Sequence, residues 1–324
     1  MKHINLKFYI FTILISLIML SHSVSCKSTS SSKNNNYSNS LTWGGLKRTY
    51  LIHLPQHYNK NSQKSLVIVL HGGGGNGRGM IRLTNFNNVA DKEGFIVVYP
   101  DGIDKHWNDG REGSETSHKA HIDQIDDVGF ISVLIDKLTV ELNIDKRRVY
   151  VCGISNGAMM TYRLGCELTQ KIAAIAAIAG NMPKSLVCSK NLQQIPVLII
   201  SGTDDPLMPF NGGNITGPFG NKKLGQVLSL KETVVFWTKF NNCSLSPMFS
   251  YEPDKDPDDG TRVRKEIYRG DTNSSEVVVY IIEKGGHTWP GGYQYLPEKL
   301  IGKTSKDINA TELIWDFFKT HLKQ

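Results

Sequence analysis

The segment best suited to chemistry is Gly153-Ile154-Ser155-Asn156-Gly157. A serine hydroxyl is a weak nucleophile until a neighbouring base takes its proton, and it must stand clear of the backbone to reach a substrate. The G-x-S-x-G spacing achieves this on a turn so tight that side chains at the glycine positions would strike the neighbouring backbone. A second glycine run, Leu70-His71-Gly72-Gly73-Gly74-Gly75-Asn76-Gly77, lets the chain approach a substrate carbonyl and aim N–H groups at the negative charge that develops on its oxygen. The rival reading, a phosphate cradle, requires a Gly-Lys-Ser/Thr that does not follow. The expected donors are the backbone N–H of Asn156 and that of Gly73 or Gly74. A base and an orienting carboxylate complete the set. Ser201-Gly202-Thr203-Asp204-Asp205-Pro206 offers two carboxylates, with Asp205 ahead of Asp204, and Gly285-Gly286-His287-Thr288-Trp289-Pro290 offers the imidazole. The Asp would fix the tautomer of His287 and stabilise the imidazolium formed when the serine gives up its proton.

A lone G-x-S-x-G or a lone histidine is common and usually means nothing. Here each motif follows an apolar, β-branched run. Residues 65–70, 95–99, 149–152, 172–178 and 196–200 read as buried parallel strands, 49–54 as an early strand, and 263–268 and 277–282 as late ones. Between them, Val128, Ile131, Leu134, Ile135, Leu138 and Leu142 mark one face of a helix, and residues 228–240 and 310–321 read as further helices. Strands alternating with helices predict an α/β fold with a doubly wound, mostly parallel sheet, and the serine, acid and histidine fall in the chain order of an α/β-hydrolase. Only residues 179–195 are available for an insertion after the strand at 172–178, too few for a large cap domain, so an open site is expected. No appended polymer-binding module is expected after the last helix.

His71-Gly-Gly-Gly-Gly75, Gly153-Ile-Ser-Asn-Gly157-Ala-Met-Met160, Gly202-Thr-Asp-Asp205-Pro and Gly286-His-Thr-Trp-Pro-Gly291 together resemble the polyhydroxybutyrate depolymerase and feruloyl esterase group of extracellular esterases. Tyr99-Pro-Asp-Gly102, Trp107-Asn108 and Asp126-Asp-Val-Gly-Phe130 fit the same pattern, so the resemblance runs from about Thr49 to the last helix. It implies an acid directly before the proline, which favours Asp205. It also implies cofactor-free hydrolysis of esters, including feruloyl or acetyl esters on polysaccharides and polyester chains, and a disulfide between Cys166 and Cys188 with Cys243 left unpaired. Feruloyl or acetyl polysaccharide ester hydrolysis is the leading expectation and depolymerisation of polyhydroxybutyrate oligomers the alternative. A serine peptidase would use the same triad but normally carries a gating domain. A non-catalytic binding protein on this fold would normally lack one of the three residues.

The N-terminus points out of the cytoplasm. Lys2 and Lys7 precede an apolar run from Phe8 to Leu20, then Ser21, Ser23, Ser25 and Cys26, the layout of a signal peptide over residues 1–25. Ser23-Val24-Ser25-Cys26 also resembles a loose lipobox with Ser where Leu is usual, so lipidation of Cys26 and plain secretion both stand. A polar tether over residues 26–45 and one catalytic domain over 46–324 would follow. The 37 basic and 30 acidic residues give a net charge of +7 without a basic run, which argues against a nucleic-acid partner and leaves a lipid anchor as the membrane link.

Other residues take plainer readings. Cys152, inside a strand pattern, should be a buried free thiol. No C-x-x-C exists, so no metal is expected. His118-x-x-His121-x-Asp123 reads as a surface loop. The Asp-rich run Asp254 to Gly260 reads as a solvated hairpin turn, because Asp259 stands where a calcium loop needs glycine and Lys265 where it needs glutamate. Trp107 and Trp289 are candidates for the wall of a substrate pocket.

Overall fold

The computed structural model describes residues 35–112, 118–188, 193–217, 224–270 and 275–323. The expected signal segment and Cys26 lie outside them. Twelve strands and eight α-helices are described: β1 (Asn36–Trp43), β2 (Leu46–His53), β3 (Lys64–Leu70), α1 (Gly77–Thr84), α2 (Phe86–Glu93), β4 (Ile96–Pro100), α3 (Lys119–Ile122), α4 (Asp127–Leu142), β5 (Ile144–Ile154), α5 (Asn156–Glu167), β6 (Ala174–Ile178) and β7 (Val197–Gly202), then β8 (Gly213–Asn214), β9 (Gln226–Val227), α6 (Leu230–Phe240), β10 (Met248–Tyr251), β11 (Arg262–Arg269), β12 (Glu276–Glu283), α7 (Glu298–Ile301) and α8 (Ala310–Lys319). Ten strands form one sheet in the order β1-β2-β4-β3-β5-β6-β7-β12-β11-β10. The six central strands, β4 to β12 in that order, run parallel, and antiparallel strands close both edges.

The continuous apolar runs are explained by cover on both faces. Along β3, Leu66, Ile68 and Leu70 join the core under α4, α5 and α6, while Val67 and Val69 join the core under α1, α2 and α8. A strand alternates its side chains between faces, so a strand buried twice must be apolar throughout. Caps set the helix limits. Asp126 accepts from Gly129 N–H at the start of α4, and Ser229 and Glu232 form a reciprocal capping box that starts α6 at Leu230.

One expectation needs correction. Residues 36–43, assigned by composition to the tether, form β1 and pair with β2 across their whole length. The turn is Gly44-Gly45, both with positive φ (55° and 74°), the backbone that a two-residue hairpin demands and glycine tolerates. β1 is an edge strand with most residues exposed, so its polar composition concealed it. Leu41 and Trp43 anchor it to the core, and Trp43 Nε1 donates to Asp126 at 3.0 Å. The domain therefore reaches at least ten residues before the expected boundary at 46. The short helices α1 and α2, divided by Asn85 in the left-handed region, and the exposed edge strand β10 also escaped the periodicity.

The chain steps from β3 outward to β4, then back past β3 to β5. The two motif-bearing loops thus leave adjacent strand ends, with Leu70 paired to Gly153, on either side of the reversal where open α/β sheets form their crevice. Gly202 and Ile282 are likewise paired, which sets the acid and histidine loops side by side. Cys166, near the end of α5, is bonded to Cys188, while Cys152 is buried and free and Cys243 is half-buried and free.

His71 fastens the end of β3. Its Nδ1 lies 2.8 Å from the Gly72 carbonyl, which can only accept, so Nδ1 carries the proton and Nε2 accepts from Gly102 N–H at 2.9 Å. Both nitrogens are satisfied by the neutral ring, and burial pushes its pKa down to about 4. A histidine pKa lower in the folded than in the unfolded state contributes stability above about pH 6.5, which is lost as pH falls through 4. Comparing urea unfolding of wild type and His71→Gln from pH 8 to pH 4, the wild type should lose on the order of 3 kcal/mol relative to the variant. A gap independent of pH would show that His71 does not titrate on unfolding. Opening the 22-residue Cys166–Cys188 loop with a Cys166→Ser/Cys188→Ser pair should lower unfolding free energy by about 3 kcal/mol in the same assay.

Candidate active site

Ser155 sits between β5 and α5 with φ 58° and ψ −120°, a conformation rarely adopted by a residue with a side chain. Its neighbours show why the turn needs glycine. A Cβ on Gly153 would lie 2.5 Å from the Gly157 carbonyl oxygen, and one on Gly157 would lie 2.5 Å from the Leu70 and 2.6 Å from the His71 carbonyl oxygens. Ser155 N–H donates to Ile178 O at 3.0 Å, tying the turn to β6. Asn156 is the first residue of α5, so its N–H has no acceptor within the helix and carries the positive end of the helix dipole.

Across the crevice the Gly72–Gly75 turn presses on this elbow. A Cβ at Gly72 would come within 3.3 Å of Ser155 Cβ, and one at Gly73 within 3.8 Å of Asn156 Cβ. Gly74 is differently placed: its N–H donates to Lys105 O at 2.9 Å. That hydrogen bond removes Gly74 from the expected pair of donors and leaves Gly73 as the glycine beside the elbow.

His287 and Asp205 are brought together. His287 Nδ1 is 2.7 Å from Asp205 Oδ2, both side chains are almost fully buried, and Asp205 Oδ1 accepts from the N–H groups of Leu207 and Met208 at 2.8 Å. The carboxylate is therefore held from both ends and presents one oxygen to the imidazole. Asp204 turns the other way, taking a hydrogen bond from Thr203 Oγ1. Behind the histidine, Tyr295 Oη donates to the His287 carbonyl at 2.8 Å, and burial, aided by the Asp205 charge, raises the phenol pKa.

Ser155 and His287 line one cavity of about 750 Å³. Met80, Met159, Leu207, Met208, Ile215 and Leu224 give it an apolar wall. His106, His118 and Arg111 line another part, although His118 was expected on a surface loop with His121 and Asp123. The rings of His106 and His118 stack with centroids 3.4 Å apart, and His121 is buried with Nε2 3.2 Å from an Arg111 nitrogen. Burial lowers the pKa of all three, that of His118 to about 4 with further lowering from His106. His118 is thus a cavity-wall residue and His121 a buried one, not surface residues. Spacing alone could not reveal this, because it depends on the 102–112 loop folding back over the elbow.

Trp107 and Trp289 do not line the cavity. Both are fully buried: Trp107 Nε1 donates to His71 O at 2.9 Å and Trp289 Nε1 to Thr311 Oγ1 at 3.0 Å. They prop the site loops from behind, since a buried indole needs an acceptor for its N–H. Among the described residues, no group of three or more His, Cys, Asp or Glu is arranged to hold a metal ion. The Asp-rich loop is tied down by cations and backbone N–H groups, with Asp254 on Arg262 at 2.7 Å and Asp256 on Lys306 at 3.0 Å.

Residues 57–232 match the model of the phospholipase/carboxylesterase family. A putative esterase from Nocardia uniformis subsp. tsuyamanensis is 31% identical over 260 residues, covering 78% of this chain and 74% of that protein. A bifunctional acetylxylan esterase/xylanase of Neocallimastix patriciarum is 32% identical over 166 residues, 51% of this chain and 22% of that protein. A probable feruloyl esterase C of Aspergillus clavatus is 29% identical over 175 residues, 51% of this chain and 57% of that protein. In three dimensions the chain is similar to an acetyl xylan esterase from Aspergillus awamori, with a TM-score of 0.58 at 14% identity over 88% of this chain and 99% of that one. With an α/β-hydrolase sheet, a serine on a strand–helix elbow and a family match over more than half its length, this chain belongs to the phospholipase/carboxylesterase family and is a carboxylic ester hydrolase.

Proposed function

We propose that Ser155, His287 and Asp205 are the catalytic triad of a serine esterase acting on feruloyl or acetyl esters carried by polysaccharide. The observation that carries the triad is the 2.7 Å contact between His287 Nδ1 and Asp205 Oδ2, beside a cavity that His287 shares with Ser155. With Nδ1–H held by the carboxylate, Nε2 is the basic nitrogen left for the serine proton. Ser155 Oγ attacks the ester carbonyl carbon and His287 takes its proton. The N–H groups of Asn156 and Gly73 stabilise the tetrahedral oxyanion, and the leaving alcohol departs with the proton from His287. Water then enters by the same route, releasing the acid and restoring the serine. No cofactor takes part in these steps.

A cavity of about 750 Å³ with methionine and leucine walls accommodates an aromatic acyl chain as well as an acetyl group. The relatives named as feruloyl and acetylxylan esterases support the polysaccharide side. The Cys166–Cys188 disulfide supports export, because such bonds persist in oxidising compartments. We further assign residues 1–25 as a signal peptide, with Cys26 as the lipid-bearing residue of a surface-anchored enzyme.

A fluorophosphonate probe should label the wild type and not Ser155→Ala, and labelling of another serine would move the nucleophile. Asp205→Asn should lower turnover of p-nitrophenyl acetate by about ten-thousand-fold, and Asp204→Asn far less. The opposite ranking would transfer the role to Asp204. Rates on methyl ferulate, p-nitrophenyl acetate and hydroxybutyrate oligomers, measured side by side, test the substrate assignment, and fastest turnover of the oligomers would overturn it. In a bacterial host the full chain should partition into detergent and Cys26→Ala into the aqueous phase. A wild-type chain found wholly in the aqueous phase with Cys26 unmodified would establish plain secretion.

A further inference from the structure

The backbone of Asn156 faces the crevice, but its carboxamide is spent elsewhere. Oδ1 accepts from Trp107 N–H at 2.8 Å, while Nδ2 donates to Trp107 O at 3.0 Å and to Asp109 Oδ2 at 2.6 Å. Asp109 is fully buried, and its other oxygen accepts from Arg111, at 3.2 Å from the backbone nitrogen and 2.9 Å from Nε. Arg111 in turn donates to Leu224 O at 2.7 Å, on the far cavity wall. The same loop also holds the glycine turn, because Lys105 O accepts from Gly74 N–H, Gly102 N–H donates to His71 Nε2, and Trp107 Nε1 donates to His71 O. The 102–111 loop thus grips both segments that carry oxyanion donors. The grip on Asn156 ends on a carboxylate that nothing in the triad uses.

We propose that Asp109 is a positioning residue for the oxyanion hole: its buried carboxylate locks the Asn156 carboxamide and thereby fixes where the Asn156 N–H points. This rests on the assignment of Ser155 and Asn156 above. A hydrogen bond to an ionised acceptor is shorter and stronger than a neutral one, and in a buried seam it leaves the carboxamide one orientation. The Arg111 guanidinium balances the charge, so no net negative charge stands behind an oxygen that becomes negative in the transition state. Donors of this kind act through placement rather than affinity for the ground state, so loosening one should affect kcat and spare KM.

The test uses the full chain with p-nitrophenyl acetate and a trifluoromethyl ketone that adds to the nucleophilic serine as a tetrahedral adduct. Asp109→Asn keeps the shape and removes the charge. It should lower kcat by about 10- to 100-fold, change KM by less than about threefold, and weaken the ketone in proportion to kcat. Asn156→Ser, which retains a small polar group for Trp107 N–H, should give a similar loss. The double variant should be little worse than either single one, because the two residues act as a unit. Asn156→Ser carries the same test should Asp109→Asn fail to fold. A variant with wild-type kcat and a lowered melting temperature, or a kcat loss without a matching loss of ketone affinity, would make Asp109 a packing residue and overturn the inference. Ser155→Ala in the same assay separates the two levels. Retained turnover there overturns the site and this inference together, whereas a dead Ser155→Ala beside a fully active Asp109→Asn overturns this inference alone.

Discussion

At the carboxyl edge of the sheet the backbone of the first residues of α5 lies against the backbone leaving β3. A single methyl group at Gly157 would meet the Leu70 and His71 carbonyl oxygens at about 2.5 Å, far inside contact distance. The rest of the site follows from this approach. It brings the start of α5 beside the Gly72–Gly75 turn, so Gly73 and Asn156, 83 residues apart, can offer N–H groups to one oxygen. It also forces the left-handed backbone at Ser155 that lifts the hydroxyl out of the turn. Such strain persists only where surrounding contacts over-determine it, and here β3, β5 and β6 all hold the turn.

A second set of constraints lies beneath the first and is polar. Arg48 and Asp127 form a buried ion pair in which the Arg48 guanidinium also rests over the Phe130 ring, 4.0 Å from its centroid. Asp127 then accepts from Asn108 N–H at 2.7 Å, and Asn108 O accepts from Arg163 on α5. Burial raises the Asp127 pKa, and the Arg48 charge opposes that rise. Ion pairs this deep seldom add stability over well-packed apolar residues, but they penalise any arrangement that leaves one partner alone. The 102–111 loop has little apolar content of its own, and this directionality gives it one resting place over the elbow.

Features carried by local pattern were legible in the sequence, and those carried by long-range folding were not. The parallel strands, α4, α6 and α8 show in apolar periodicity because both faces of the sheet are covered. The serine elbow, the glycine run and the acid and histidine loops show because backbone sterics and proton transfer leave few residue types to choose from. Within the 102–111 loop the sequence singles out Trp107 and Asn108 but not the residues that grip the elbow. Asp109 and Arg111 are ordinary loop residues until Asn156 and Leu224 arrive from elsewhere in the chain. Trp107 and Trp289 were misplaced for a related reason: a large aromatic next to a reactive residue serves equally well as a lining or a prop, and only its hydrogen-bond partner decides. The edge strand β1 was hidden by polarity, although the two-residue Gly44-Gly45 turn before an apolar strand was its one available signal.

That edge strand also fixes where the described chain joins the sheet. β1 begins at Asn36, paired with His53, and His53 is paired with Val97 near the start of β4, whereas Tyr50 meets Pro100 at its end. The chain therefore enters the sheet at its amino edge, opposite the edge that carries Ser155. A strand of eight residues spans roughly 27 Å, so the chain crosses much of the sheet before it first turns. The first described residues and the candidate cavity therefore lie toward opposite ends of the central strands.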